Sequence, residues 1–252
     1  MVSNAPMSKA EAVALACNFL VDEFLALATR HDGVRNYYDI AILSYSGHGI
    51  KSMLSGDGFV SITELAKDIP PLRHYSFEQR RPDGGTTYAS FDLHSWVHPT
   101  AYGDTPMHEA LSRVYDMIDE WCHDERNRDS FPPLVFHISD GECTDADPHT
   151  LISLAERIMA CSTNDGNTLI FNIHLTTDSE QRPLSFPSEH SIKTSLRHQY
   201  LLYRMSSILP ERMERMINNK RDIAPYRCVA INASFSELMM MLNIGSESVI
   251  SR

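Results

Sequence analysis

The sequence lacks the motifs that mark disulfide-rich, zinc-binding and nucleotide-binding proteins. Its five cysteines are scattered without a Cys-x-x-Cys pair, and an odd number at irregular spacing argues against a disulfide framework and against a structural zinc site. Twelve histidines are present, but none forms a His-Glu-x-x-His motif. Glycine-rich phosphate loops of the GxxxxGK[ST] or GxGxxG type are also absent, so nucleotide chemistry has no support.

Positive charge and long apolar runs are scarce as well. The chain has 22 Lys and Arg against 33 Asp and Glu, a net charge of −11, which disfavours a nucleic-acid backbone as a partner because phosphates are repelled. The longest apolar runs have the length of a strand, which predicts no membrane span. Residues Met1–Met7 lack the basic and apolar regions of a signal peptide. We therefore expect a cytoplasmic protein with no nucleic-acid or membrane partner.

Helical and strand patterns alternate along the whole chain. Ser8 and Glu11 form a capping-box pattern that opens the first helix, and Asp147-Pro148 opens another. The helices predicted after the first lie at 63–67, 105–123, 148–160, 196–209, 211–219 and 234–245. The predicted strands lie at 37–45, 73–80, 86–97, 134–139, 168–175 and 227–232, with a turn at Pro82–Gly85 inside the hairpin.

This alternation predicts an α/β fold with a doubly wound, mostly parallel sheet flanked by helices. Residues 37–45 and 134–139 are nearly continuous apolar runs, which is typical of parallel strands buried on both faces. No linker divides the sequence, so we expect a single domain over residues 1–252, with 1–7 and 246–252 disordered.

Two segments place an oxygen ligand at the edge where such sheets bind ligands. Thr105 lies in Gly103–Met107, where a helix begins, and Asp140 follows the apolar run 134–139. Ligands gather at the carboxyl ends of parallel strands. A hydroxyl and a carboxylate there suit Mg²⁺, which takes few protein ligands and keeps open positions. Thr105 and Asp140 are therefore the candidate metal ligands.

Several segments, in this order and spacing, resemble the von Willebrand factor A domain family, specifically its bacterial intracellular branch. They are Ser8–Val13, Tyr37–Ile40, Gly103–Met107, Ser130–Val135, Asp140–Asp145, Arg204–Pro210 and Leu242–Gly245. The resemblance implies a Rossmann-like fold and a metal-ion-dependent adhesion site. In that site an Asp-x-Ser-x-Ser loop, a Thr and an Asp hold the cation, and Thr105 and Asp140 match the second and third loops.

The first metal loop has no counterpart in this sequence. Members of the family carry it after a first central strand, and this chain begins within the segment that follows it. Ser3 does not replace the loop, because no Asp precedes it. We therefore expect a fold without the usual first central strand and weak binding of Mg²⁺ or Mn²⁺. We also expect the neighbouring strands to pair differently, to take up a foreign strand or to aggregate.

Other interpretations of these residues remain open. Asp140 could be a turn residue and Thr105 an N-cap. Asp145 and its acidic neighbours are interpreted as a solvated cluster at a helix start, and Cys143 as an incidental residue because no base lies at a diagnostic spacing. His137 and His174 lie in apolar strands, which favours satisfied core groups over metal ligands.

The resemblance implies a non-enzymatic protein-interaction module. In the family, an acidic residue of a protein partner completes the coordination of the cation. The bacterial relatives are associated with Ser/Thr kinase, phosphatase or stress-response systems. The alternatives are a metal-assisted hydrolase that uses Asp140, and a metal-independent scaffold subunit completed by a partner's strand.

Overall fold

A computed structural model describes residues 7–80, 86–100, 102–140, 142–176, 182–192, 196–217 and 225–250. The fold mixes helices and strands, as the alternating pattern predicts. It divides into two compact units, which comprise Met1–Ser44 with Lys51–Ala101, and Tyr45–Ile50 with Tyr102–Arg252. Within the described ranges, no helix combines the length and the apolar content that a bilayer crossing requires.

The first unit is built from one long helix, one antiparallel pair of nine-residue strands and several short strand pairs. Its helices are α1 (Lys9–Ala28) and α2 (Ile62–Leu65). Its strands are β1 (Thr29–Arg30), β2 (Gly33–Val34), β3 (Asp39–Ile40), β6 (Val60–Ser61), β7 (Leu72–Arg80) and β8 (Thr86–His94). The hairpin of β4 (Leu43–Ser46) and β5 (Gly49–Ser52) begins and ends in this unit, whereas its tip, Tyr45–Ile50, belongs to the second unit.

Side-chain amide and carboxylate groups of α1 bind the chain that follows β8. The buried Asn18 side chain donates to the carbonyl of Val97 at 3.2 Å and accepts from its N–H at 2.8 Å. One turn later, the Asp22 carboxylate accepts hydrogen bonds from the His94 N–H and ring and from the Trp96 indole. These bonds satisfy backbone and ring groups that would otherwise be costly to bury.

The prediction of one strand over residues 37–45 is wrong. The structure has the short β3 and β4 there instead, and β3 pairs antiparallel with β6, Asp39 opposite Ser61. Tyr37 is 55% exposed, and β4 is only half-buried. The apolar run is therefore not a parallel strand buried on both faces, because its tyrosines cover a small antiparallel unit and partly face solvent.

The second unit contains the remaining helices and the largest sheet. Its helices are α3 (Met107–His123), α4 (Pro148–Ala160), α5 (Arg197–Met205), α6 (Glu211–Glu214) and α7 (Phe235–Ile250), with a 3-10 turn at Glu125–Asn127. Its strands are β9 (Leu134–Ser139), β10 (Ser162–Thr163), β11 (Gly166–Asn167), β12 (Leu169–Leu175), β13 (Leu184–Ser185) and β14 (Val229–Ala233).

The largest sheet has four strands in the order β13-β14-β12-β9. The pairs β9–β12 and β12–β14 are parallel, and β13 pairs antiparallel with β14. The central strand β12 is buried along almost its whole length, whereas β9 lies at the edge of the sheet. The parallel strands end at Ser139, Leu175 and Ala233, so the loops that follow them share one edge of the sheet.

Helices cover both faces of this sheet. Successive side chains of a strand point to opposite faces. Phe136 packs on Phe171 with ring centroids 5.1 Å apart, and a Cβ on Gly245 of α7 would lie 2.4 Å from the Phe136 ring. On the other face, Asn172 binds Ser206, which follows α5. Thus α7 and α5 lie on opposite faces, and Gly245 permits the close approach of α7.

Helix starts match their sequence signals more closely than helix ends. Ser8 and Glu11 form the capping box, and Asp147 caps α4. In contrast, α5 ends at Met205 and α6 at Glu214, both short of the predicted ends, whereas α7 continues past Gly245 to Ile250. The predicted turn Pro82–Gly85 lies outside the described residues.

Candidate functional site

The loop that follows β9 is hydrogen-bonded to the segment that precedes α3. The N–H of Thr144 donates to the carbonyl of Thr105 at 3.1 Å. In return, the N–H of Thr105 donates to the hydroxyl of Thr144, also at 3.1 Å. This reciprocal pair joins the two loops that carry the predicted site residues, and Thr144 is only four positions after Asp140.

Asp145 caps α3 from this distant loop. The residue at the N-cap of α3, Pro106, provides no side-chain hydrogen bond. The carboxylate of Asp145 instead accepts from the N–H groups of His108 and Glu109, each at 3.0 Å. An anion at this position satisfies N–H groups that lack a partner in the helix and interacts favourably with the helix dipole. Asp145 is exposed, as the interpretation of a solvated cluster at a helix start expects, but the helix that it caps is α3, which precedes it in the sequence.

The pKa of Asp145 reflects the same contacts. Burial raises the pKa of the carboxyl, but hydrogen bonds from the Cys143 thiol and from the N–H groups of His108 and Glu109 outweigh it. The pKa therefore lies below its ordinary value. A carboxylate held by these donors stays ionised at neutral pH and is occupied in capping the helix, so it is poorly placed to serve as a free metal ligand.

The tip of the β4–β5 hairpin forms a second wall beside this loop. The N–H of Gly47 donates to the carbonyl of Tyr102 at 2.8 Å, and the His48 ring stacks on Tyr102 with centroids 4.3 Å apart. A Cβ on Gly47 would lie 3.1 Å from the Asp104 nitrogen, so glycine allows this close approach. An open cleft of about 380 Å³ results, lined by Ser46, Gly47, Gly49, Asp104, Pro106, Glu109, Thr144 and Asp145.

The two predicted ligands belong to the two loops that this hydrogen-bond pair joins. Thr105 is half-buried. Asp140 directly follows β9 and is exposed. Among the described residues, no group of three or more His, Cys, Asp and Glu side chains is arranged to hold a metal ion. Thr105 and Asp140, one hydroxyl and one carboxylate, therefore stay the metal ligands that the sequence predicts, and Mg²⁺ ordinarily takes more oxygen ligands than these two.

A row of hydrogen-bonded polar groups runs across β9 and β12 on one face of the sheet. The Tyr45 hydroxyl lies 2.8 Å from His137 Nε2, and His137 Nδ1 lies 2.6 Å from Asn172 Oδ1. The Asn172 amide donates to the Ser206 hydroxyl at 2.9 Å, which donates to the carbonyl of Leu202. These directions assign the proton to His137 Nδ1 and make Nε2 an acceptor for the Tyr45 hydroxyl. The interpretation of His137 as a satisfied core group is confirmed.

The environment of this row favours neutral side chains. Burial lowers the pKa of His137, and the hydrogen bond to Asn172 opposes this only in part. Burial also raises the pKa of Tyr45 to about 12; a hydrogen bond with Ser139 opposes this, whereas the carboxylates of Asp140 and Asp145 act in the same direction as burial. These hydrogen bonds therefore position Tyr45 beside the carboxyl end of β9, and the side chains of Tyr45 and His137 that form them are neutral.

Sequence reasoning missed the residues that build the walls of the cleft. Asp145 and Thr144 follow the predicted ligand Asp140 within five positions, but their partners lie almost forty residues earlier. Ser46 and Gly47 occur in a stretch predicted to be irregular. The Gly47-His48-Gly49 spacing was the one signal of a tight turn that would have located the hairpin tip.

Replacing Asp145 with alanine should destabilise the start of α3. We expect a loss of about 1–2 kcal/mol in the free energy of unfolding, the usual cost of removing a helix cap. Amide hydrogen exchange at His108 and Glu109 should accelerate. The matched control is Asp104→Ala, an exposed carboxylate in the same cleft that makes no cap. Equal stability of the two variants would contradict the capping role.

No protein-family model, curated protein or solved structure matches this chain. The chemistry of the residues at the carboxyl edge of the sheet is therefore the basis for a functional proposal.

Proposed function

We propose that this chain is a non-enzymatic protein-interaction module similar to a von Willebrand factor A domain, with a partial metal-ion-dependent adhesion site. Thr105 and Asp140 are its metal ligands, and Mg²⁺ or Mn²⁺ binds there weakly. A protein partner completes the coordination with an acidic residue. We further propose that the module works in the bacterial cytoplasm within a kinase, phosphatase or stress-response system.

The observation that carries this proposal is the pair of hydrogen bonds between Thr105 and Thr144. It joins the loop of one proposed ligand to the loop of the other, beside a cleft with several side-chain oxygens. Interaction modules need such a preformed surface, whereas hydrolysis needs a firmly held ion and a positioned base. One of the carboxylates that line the cleft, that of Asp145, is already engaged by two backbone N–H groups. This favours binding over catalysis.

The sheet is compatible with the finer fold that we propose, a doubly wound Rossmann-like domain. Three strands run parallel in the order β14-β12-β9, and helices lie on both faces. Helices on both faces are the usual covering of a parallel sheet. β9, which is rich in apolar residues, lies at the edge of the sheet, where the proposed fold has a further strand beside it.

Calorimetric titration with Mn²⁺ tests the proposed metal ligands. Mg²⁺ and Mn²⁺ prefer six oxygen ligands, so a site with one hydroxyl and one carboxylate should give a dissociation constant on the order of millimolar. Asp140→Ala removes the only charged ligand and should weaken binding at least about tenfold, or ~1.4 kcal/mol. The isosteric variant Thr105→Val should weaken binding less, since it removes a neutral ligand.

The matched control is Glu142→Gln, which removes a carboxylate from the same loop without touching either proposed ligand. This variant should bind Mn²⁺ as the wild type does. Micromolar binding by the wild type would contradict a partial site, and binding that survives Asp140→Ala would contradict the ligand assignment.

An activity measurement distinguishes the proposed interaction module from the hydrolase alternative. Phosphatase and nucleotidase substrates, with and without Mn²⁺, should show no turnover above that of buffer. Metal-dependent turnover that disappears in Asp140→Ala would instead identify an enzyme.

A further inference from the structure

The outer edge of β9 carries backbone groups that point away from the sheet. The N–H of Leu169 donates to the carbonyl of Pro133 at 3.1 Å, so the backbone groups of Pro133 face β12. Because these directions alternate along a strand, the groups of Val135 and His137 also face β12. The N–H and C=O groups of Leu134, Phe136 and Ile138 must therefore face outward.

These outward groups are unpaired within the described part of the chain. Among the described residues, the Tyr45 hydroxyl comes near this edge, with its oxygen 3.4 Å from the carbonyl oxygen of Ile138, but its proton is donated to His137 Nε2. No described residue binds the N–H or C=O of Leu134 or Phe136, or the N–H of Ile138. A row of unpaired donors and acceptors on an edge strand is a template for another strand.

The edge also lacks the features that normally prevent strand addition. Leu134–Ser139 contains no charged residue and no proline, and its register with β12 runs through six residue pairs without a bulge. Natural edge strands are usually protected by lysine, proline or a bulge. Four of its six residues, Leu134, Val135, Phe136 and Ile138, are apolar and only half-buried, whereas the neighbouring β12 is almost fully buried.

We propose that β9 pairs with β9 of a second copy of this chain, antiparallel across a twofold axis at Phe136. In this register the two Phe136 residues exchange both of their backbone hydrogen bonds. Leu134 of each copy exchanges two with Ile138 of the other. Every outward group is then paired, for a total of six bonds, and a continuous eight-stranded sheet forms. This inference goes beyond the proposed function and does not depend on cation binding.

The chemistry of the strand fits a second copy of itself. A twofold contact places the same patch on both partners, so a strand with charges of one sign would repel itself, and β9 has none. The register also places Asp140 opposite Pro132 rather than opposite the second Asp140. Pairing requires the Tyr45 hydroxyl, which lies 3.4 Å from the Ile138 carbonyl oxygen and is bound to His137, to move away from this carbonyl.

Analytical ultracentrifugation over a wide range of protein concentrations tests this pairing. We expect a reversible equilibrium between one chain of 28.5 kDa and a species of twice that mass. Leu134→Pro removes an outward N–H and leaves the bonds to β12 in place, so it should remain folded and raise the dimer dissociation constant at least tenfold. Val135→Pro is the matched control, because its lost N–H faces β12 and should unfold the sheet.

Hydrogen exchange of the wild type provides a second measurement if Leu134→Pro does not fold. The amides of Leu134, Phe136 and Ile138 should be protected at high concentration and should exchange faster on dilution, whereas those of Val135 and His137 should not change. A monomer at every concentration, a dimer that Leu134→Pro leaves intact, or larger open assemblies would each overturn the proposal.

Discussion

Replacing Asn172 with leucine should lower the free energy of unfolding by about 2–4 kcal/mol, because the row of polar groups across β9 and β12 depends on this amide. Asn172 is fully buried and joins His137 to Ser206. Leucine has a similar size but leaves the Nδ1–H of His137 without an acceptor. Urea denaturation should show a lower midpoint with an unchanged slope.

The control for this variant is Asn243→Leu, on the exposed side of α7. It makes the same chemical change at the surface and should alter the free energy of unfolding by less than about 0.5 kcal/mol. If Asn172→Leu is no more destabilising than Asn243→Leu, this row of polar groups does not contribute to stability.

Stability should also fall steeply as the pH decreases below about 6.5, the ordinary pKa of histidine. Burial holds the folded pKa of His137 below that value, and burial lowers the pKa of His198 as well, against the opposing charge of Glu142. Between the folded and unfolded pKa values the unfolded chain binds more protons, so acid favours unfolding. The contribution is fully present above pH 6.5 and is lost progressively below it.

The expected slope is up to about 1.4 kcal/mol per pH unit for the buried His137 and smaller for the partly exposed His198, whose charge is screened by solvent. Chemical denaturation between neutral pH and pH 5 measures it. His137→Gln should reduce the slope, although it also lowers the stability itself. A slope that does not change in His137→Gln would contradict the neutral buried state of this imidazole.

The sequence correctly predicted the elements that depend on neighbouring residues, such as helix caps and the strand Leu134–Ser139. The Ser8 capping box and the Asp147 cap each involve residues three positions apart or closer, and both are present. The strand Leu134–Ser139 has the predicted bounds, because an apolar run between Pro133 and an acidic turn has few alternatives. The mixed α/β class follows from such elements.

Features that depend on distant contacts could not be predicted. The sequence places Asp145 near the start of α4 but does not show that its carboxylate caps α3, because only the three-dimensional arrangement brings it to His108. The apolar run after Tyr37 has the composition of a buried strand, but β3 and β4 pair antiparallel in separate two-stranded sheets. The periodicity of apolar residues indicates which face of a strand is buried, but it does not indicate which other strand pairs with it.

The candidate site was predictable only where it depends on local sequence signals. Thr105 and Asp140 were identified from their positions at the ends of predicted elements, where ligands gather. The hairpin tip at Gly47 was not, because residues 46–49 approach the site from a distant part of the chain. The sequence therefore did not predict that residues 46–49 line the cleft.

Paramagnetic broadening by Mn²⁺ in backbone NMR spectra tests the central claim most directly. We predict that low concentrations of Mn²⁺ broaden the amides of Thr105, Asp140 and Thr144 first, and that Asp140→Ala abolishes this effect while Glu142→Gln does not. Broadening centred on another part of the protein, or an unchanged pattern in Asp140→Ala, would contradict a cation site shared by these two loops.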